Sequence, residues 1–180
     1  RMGANEQGTN ATEGRWLTLP RTLCFVHNGD AVLLMKRAPH RRVFPNRYNG
    51  VGGHIERDED PLTSVRREVL EETGLAVRDV QLRAVYNIDA GEATGILLFV
   101  FTAWSDTREV IADLNEGTLH WISRSHVLTL DLVEDLPTLL RHVLAMQPGD
   151  APLFIHVSYD ANDAIHMRFA DPDDDEKMIL

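Results

Sequence analysis

The chain has 180 residues, 43% hydrophobic and 26% charged, with a formal net charge of -10; that length suits one domain around one core. The acidic balance argues against a surface that wraps a nucleic-acid polymer, which needs Lys and Arg to displace counterions. The longest apolar run, Ile96 to Phe101, is far too short to span a bilayer, and the one cysteine, Cys24, lies in an apolar "LCFV" run that suits a buried residue in a reducing cytoplasm.

Residues 1–16 are polar and Gly-rich and read as a disordered leader or expression remnant, with the folded domain expected over 17–171 and an acidic tail over 172–180. Two apolar runs in "TLCFVHNGDAVLLMKR" flank Asn28, Gly29 and Asp30, the pattern of a hairpin whose turn needs positive φ. "APHRRVFPNRYN" follows, with two prolines and a local excess of His40, Arg41, Arg42 and Arg47, and reads as an irregular basic loop. Its arginine forks suit phosphate oxygens, which makes Arg41 and Arg47 candidate substrate contacts. Asp60 as N-cap, Pro61 in the first turn and Gly74 as C-terminal cap define a helix from Pro61 to Thr73. "VRDVQLRAVYNI", "GILLFVFTAW" and the shorter "GTLHWIS" read as strands. "LVEDLPTLLRHVLAM" has helical spacing, and "PLFIHVSYDANDAIHMRFA" reads as a closing hairpin that turns at Asp160 to Asp163. Mixed strands with two helices predict an α/β (α+β) sandwich.

The Pro61–Thr73 helix carries the chemistry. At ~100° per residue, Glu68, Glu71 and Glu72 fall within an arc of about 100°. Leu62, Val65, Val69 and Leu70 occupy a neighbouring arc, so the helix is expected to bury its apolar side and hold the carboxylates at the edge. Like charges so placed repel, and a hard divalent cation relieves them. A Glu-rich helix face is ordinarily a solvated face; the flanking residues argue for more.

From Gly53 there are five residues to Glu59, seven more to Arg67, then Glu68, Val69, Leu70, Glu71, Glu72, Thr73, Gly74 and Leu75. This stretch, "GHIERDEDPLTSVRREVLEETGL", resembles the Nudix box, G-x5-E-x7-R-E-U-x-E-E-x-G-U with U aliphatic, without a departure. The resemblance to Nudix hydrolases extends as a looser pattern from about Arg21 to Ala170. It implies an αβα sandwich with a mixed sheet and Mg²⁺-dependent (or Mn²⁺-dependent) hydrolysis of a nucleoside diphosphate linked to another group. By position it implies Glu68, Glu71, Glu72 and the carbonyl of Gly52 as metal ligands, with Glu59 pairing with Arg67 to orient the helix. Glu116, five residues before Trp121, resembles a further carboxylate that many members draw from outside the box. The general base stays open among Glu68, Glu71 and Glu116.

The "RYNGVGG" approach and the order of elements resemble the MutT-type enzymes that hydrolyse oxidised purine nucleoside triphosphates to monophosphate and pyrophosphate. Asn49 matches a base-contacting position in some relatives, and Glu134 and Asp135 lie near base-reading acids of others. Alternatives are hydrolysis of another nucleotide such as ADP-ribose, which the lack of proline from Leu62 to Leu136 disfavours, or a silent nucleotide sensor, which the intact box disfavours. The histidines show no paired spacing for zinc. The expected partner is a small nucleotide, with no membrane and no nucleic-acid polymer; the sequence leaves monomer or homodimer open.

Overall fold

Strand β1 (Leu17–Asn28) is buried from Thr22 to His27 on both faces, the pattern of a strand covered from two sides. The computed structural model describes residues 3–111 and 115–171, so the expected tail at 172–180 lies outside the described residues. Gly29, at φ 59, turns β1 into antiparallel β2 (Ala31–Arg37) with Asn28 opposite Ala31, the hairpin expected from Asn-Gly-Asp. The chain continues through β3 (Tyr48–Asn49), α1 (Pro61–Thr73), β4 (Arg78–Ile88), β5 (Thr94–Trp104), β6 (Gly117–Ser123), α2 (Leu136–Val143), β7 (Leu153–Tyr159) and β8 (Ile165–Phe169). Their order in the sheet is β3-β2-β1-β5-β4-β7-β8, with β6 also pairing with β2. The β1–β5 and β4–β7 pairs are parallel and the β1–β2, β4–β5 and β7–β8 pairs antiparallel, which makes the sheet mixed, as expected.

Alternation along β1 feeds two layers. Leu23 and Phe25 join Leu34, Tyr86, Val100 and the α2 residues Leu136, Leu139, Leu140 and Val143. Cys24 and Val26 join Leu33, Phe101 and the α1 residues Val65 and Val69. One helix therefore covers each face, and the sandwich is the expected one.

The α1 boundaries follow from their caps. Asp60 accepts from the N–H groups of Leu62 (2.8 Å) and Thr63 (2.9 Å), which stabilises the helix by roughly 1 kcal/mol. Gly74, at φ 77, donates to the Leu70 carbonyl, and a Cβ at that φ would be strained.

Two expectations need correction. The basic loop is not wholly irregular, because Tyr48 and Asn49 pair with Lys36 and Met35 as β3. Hydrogen bonds from Arg37 N–H to the Arg47 carbonyl and from Asn46 N–H to the Arg37 carbonyl close the loop just before it. Helix α2 is confined to Leu136–Val143, since Pro137 fits only its first turn and the chain after it tightens into bonds from Ala145 to His142 and Met146 to Val143. Within the segment expected to be a disordered leader, Ala4–Gln7 form a 3-10 turn. Trp16 lies so close over Gly95 that a Cβ there would stand 2.0 Å from the indole, which is a close approach that only glycine permits.

Candidate active site

Helix α1 is rotated relative to the expectation from Leu70. Leu70 is 54% exposed, and Leu62, about 20° from Val69 on the helix but in its first turn, is 40% exposed, whereas Ser64, Val65, Val69 and Thr73 are buried. At ~100° per residue the arc from Ser64 to Val69 contains Glu68 and Glu72, the latter only about 20° from Val65. Two carboxylates therefore sit within the packing face rather than at its edge. The Glu68 side chain is 14% exposed, while Glu71 lies outside the arc at 60%.

Two glycines make room for them. The backbone from Val51 to Gly53 runs beside β1, where Cys24 N–H donates to the Val51 carbonyl and Thr22 N–H to the Gly53 carbonyl. Strand alternation then turns the N–H and carbonyl of Gly52 away from β1, and that N–H donates to Glu72 Oε2 at 3.2 Å. A side chain at Gly52 is impossible, since its Cβ would fall 2.1 Å from the Thr22 carbonyl oxygen; one at Gly53 would stand 2.5 Å from Glu68 Oε1. The space a residue 53 side chain would fill is held by the Glu68 carboxylate.

Arg67 ties the group together. Its Nε donates to Glu59 Oε1 at 2.5 Å and its Nη2 to Glu59 Oε2 at 3.0 Å, a two-pronged pair. Nη1 reaches Glu68 Oε1 (2.9 Å) and Glu71 Oε2 (3.0 Å), and Nη2 also donates to the His54 carbonyl (3.1 Å). The Arg67 hydrogen bonds hold the Glu59 carboxyl down at about 2, and the three glutamates in turn push the guanidinium upward. Glu72 shows the opposite behaviour. Burial first, then the charges of Glu68 and Glu116, push it up to about 7, against the lowering pull of the Gly52 N–H and of Arg37.

Glu116, at the turn into β6, lies within electrostatic reach of Glu72 and is held by Arg41 at 2.8 Å, with Arg37 at 3.9 Å. As they stand, no three His, Cys, Asp or Glu groups among the described residues converge into a ready ligand set. Arg67 draws Glu68 and Glu71 toward itself and Arg41 draws Glu116. The donor chemistry nonetheless suits a hard divalent ion. Glu72 is a carboxylate whose ionised form is disfavoured by burial and by two neighbouring acids, and a cation is the natural counter to that.

The remaining predicted residues gather at a second locus. Tyr48 N–H bonds to the Asp131 carbonyl and Val133 N–H to the Tyr48 carbonyl, stitching β3 to the segment before α2. This brings Arg47 beside Glu134, with Asn49 next along β3 and Asp135 next along the chain. Arg47 reaches the Leu132 carbonyl at 3.4 Å and Glu134 at 3.9 Å, and the Asn49 side chain accepts from Gly50 N–H. Asp135 is pushed up to about 6, chiefly by burial. Beside it the buried Tyr86 hydroxyl lacks a hydrogen bond of good geometry.

Arg41 thus stands with the carboxylate group and Arg47 with the second locus, so the basic loop serves two places. Arg37, which acts on both Glu72 and Glu116, was missed by the sequence reading; its place at the β2 end, immediately before the basic loop, was the available signal.

A family model for the NUDIX domain matches residues 17–143. The nucleoside triphosphatase NudI of Enterobacter sp. (strain 638) is 30% identical over 119 residues, covering 61% of this chain and 84% of that protein. The m7GpppN-mRNA hydrolase NUDT17 of Danio rerio is 30% identical over 131 residues, 73% of this chain but 37% of that one, so the chain spans little more than a third of that relative. The crystal structure of the MutT protein of Bacillus halodurans superposes with a TM-score of 0.71 at 27% identity, over 84% of this chain and 97% of that one. No helix among the described residues is long and apolar enough to cross a membrane.

Proposed function

The chain belongs to the Nudix family and is a hydrolase of that family, and from that premise we propose that it hydrolyses a nucleoside triphosphate, best an oxidised purine nucleotide, to the monophosphate and pyrophosphate. The observation that carries this reading is Glu72. A carboxylate drawn into the packing face of α1 and raised to about 7 by burial and by Glu68 and Glu116 is costly to keep charged unless cations complete the site, and cations so held are what a polyphosphate would meet.

Glu68, Glu71, Glu72, Glu116 and the Gly52 carbonyl are the groups that would hold Mg²⁺, or Mn²⁺, which when bound lowers the pKa of a water and neutralises phosphate oxygens. Arg67 and Glu59 are positioning residues: their two-pronged pair fixes the side of α1 from which Glu68 and Glu71 project. One of Glu68, Glu71 or Glu116 takes the proton of the attacking water. At the second locus, Asn49, Glu134 and Asp135 face the base, Arg47 steadies Glu134, and Arg41 adds positive charge toward the polyphosphate. The NudI likeness supports the triphosphate substrate, and the MutT likeness supports the fold.

The test is turnover with Mg²⁺ of oxidised and ordinary nucleoside triphosphates, ADP-ribose, dinucleoside polyphosphates and nucleotide sugars, with product identification. Monophosphate plus pyrophosphate from triphosphates is the expected outcome; turnover confined to ADP-ribose would overturn the substrate assignment.

A further inference from the structure

Tyr86 has no role in the site as described, yet it carries a buried polar atom that is poorly served. It lies on β4 between Leu98 of β5 and Ile155 of β7, on the face of the sheet that α2 covers. Its side chain is fully buried and shares a core cluster with Val133 and Leu136, the residues on either side of Glu134 and Asp135. The hydroxyl, closed off from solvent, meets Asp135 without the alignment of a full hydrogen bond. A buried donor left unmade destabilises a fold, whereas Phe would fill the same core space with no polar atom to satisfy.

Asp135 is unusual in the complementary way. It is the N-cap of α2, but its backbone is already helical (φ -79, ψ -24) and its side chain makes no capping bond. Asp60, at the same position of α1, accepts from two N–H groups. Pro137 explains part of the difference, since it removes one of the N–H groups that a cap would use. The carboxyl lies instead against the Tyr86 hydroxyl, whose hydrogen bond favours its charged form. The groups that act on Asp135 are thus Tyr86 from β4, Tyr159 from β7 and Glu134 beside it in the chain, while Arg47, just before β3, is engaged with Glu134 at 3.9 Å.

We propose that Tyr86 is a positioning residue for Asp135: its hydroxyl holds the carboxyl off the α2 terminus and aims it into the second locus, where it discriminates among nucleotide bases. The proposal rests on the nucleotide reading above, which puts Asp135 at the base and gives Tyr86 no part. Tyr86 is too deeply buried to touch a nucleotide, so it acts through Asp135. A selective site needs its polar groups fixed before the ligand arrives, because a carboxyl free to swing back onto the helix end serves every base alike. Loss of the hydroxyl therefore falls on KM and on the preference among substrates, with kcat, set at the α1 carboxylates, little changed.

Tyr86→Phe tests this, since it removes the oxygen and keeps the ring. The carboxyl carbon NMR resonance of Asp135, assigned by its loss in Asp135→Asn and followed against pH in the metal-free protein, reads the contact without turnover. The Asp135 midpoint, pushed up to about 6 mainly by burial, is expected to rise further in Tyr86→Phe, because a hydrogen bond to the ionised carboxylate is lost. Turnover with Mg²⁺ of oxidised and ordinary guanine and adenine nucleoside triphosphates is expected to show KM ratios compressed about fivefold, the worth of one hydrogen bond, with kcat within a few-fold. In an Asp135→Asn background Tyr86→Phe should add nothing to that compression. An unmoved midpoint or unchanged KM ratios overturns the proposal, as does a Tyr86→Phe effect on KM that is undiminished in the Asp135→Asn background, which marks a core residue. If the midpoint moves but no triphosphate is turned over, the substrate reading fails and the link from Tyr86 to Asp135 stands.

Discussion

The two helices that sandwich the sheet use their packing faces in opposite ways. On α2 the buried positions are Leu136, Leu139, Leu140 and Val143, while Arg141 and His142 point outward. On α1 two leucines are left in solvent and the buried arc admits Glu68 and Glu72 alongside Val65 and Val69. An amphipathic helix normally faces its core with its largest apolar residues. A helix that turns Leu70 outward and glutamates inward gives up packing, and the inversion is what the role proposed for α1 leads one to expect.

The largest expected effect lies at Glu72. Replacing it with Gln is expected to lower kcat/KM at least about a hundredfold, as loss of a metal-linked carboxylate does, while making the metal-free protein more stable at neutral pH. The sign follows from the raised pKa. Glu72 is favourably protonated in the folded state, so its stabilising contribution is complete below its ordinary 4.5 and lost as pH rises through about 7. A rise from 4.5 to about 7 corresponds to roughly 3 kcal/mol at most. Metal-free wild type should therefore lose stability between pH 5 and pH 8 more steeply than Glu72→Gln in denaturant titrations. Full activity in the variant would remove the contrast between the helices.

Next is the structural helix. Leu139 is fully buried among α2 and sheet residues, so Leu139→Ala should cost about 2–5 kcal/mol of unfolding free energy. Measured well below the melting transition, kcat should change little. If activity falls in proportion to a loss on the order of Glu72→Gln, the two faces of the sheet are not separable.

Much of this was readable in the chain. Asp60, Pro61 and Gly74 gave the ends of α1 because caps are local chemistry, and Asn28-Gly29-Asp30 gave the first hairpin for the same reason. The box spacing brought Glu59, Arg67, Glu68 and Glu71 into one cluster. What stayed hidden depends on tertiary neighbours. Leu70 looks like a core residue until Gly52 and Gly53 present a bare backbone that admits carboxylates instead. The division of the basic loop between Glu116 and Glu134 depends on the Tyr48 bridge to residues 131–133, which no local pattern announces. The poorly served hydroxyl of Tyr86 is likewise visible only once β4 is packed beneath α2.

The smallest predicted effect is the sharpest check on how α1 is turned. Leu70 follows Val69 and reads as part of the apolar face, yet it is 54% exposed, with the Val65 and Val69 arc directed elsewhere by about 100° or more. Leu70→Gln should therefore change unfolding free energy by no more than about 0.5 kcal/mol, the range for surface substitutions away from special features, since Gln is also a good helix former. The neighbouring change Val69→Ala removes methyl groups from a fully buried site and should cost more, about 1–2 kcal/mol. Denaturant titration of the two variants separates the alternatives by sign of difference alone. Were Leu70→Gln the more damaging, the buried arc would run through the leucines, Glu68 and Glu72 would lie in solvent, and α1 would be an ordinary amphipathic helix like α2.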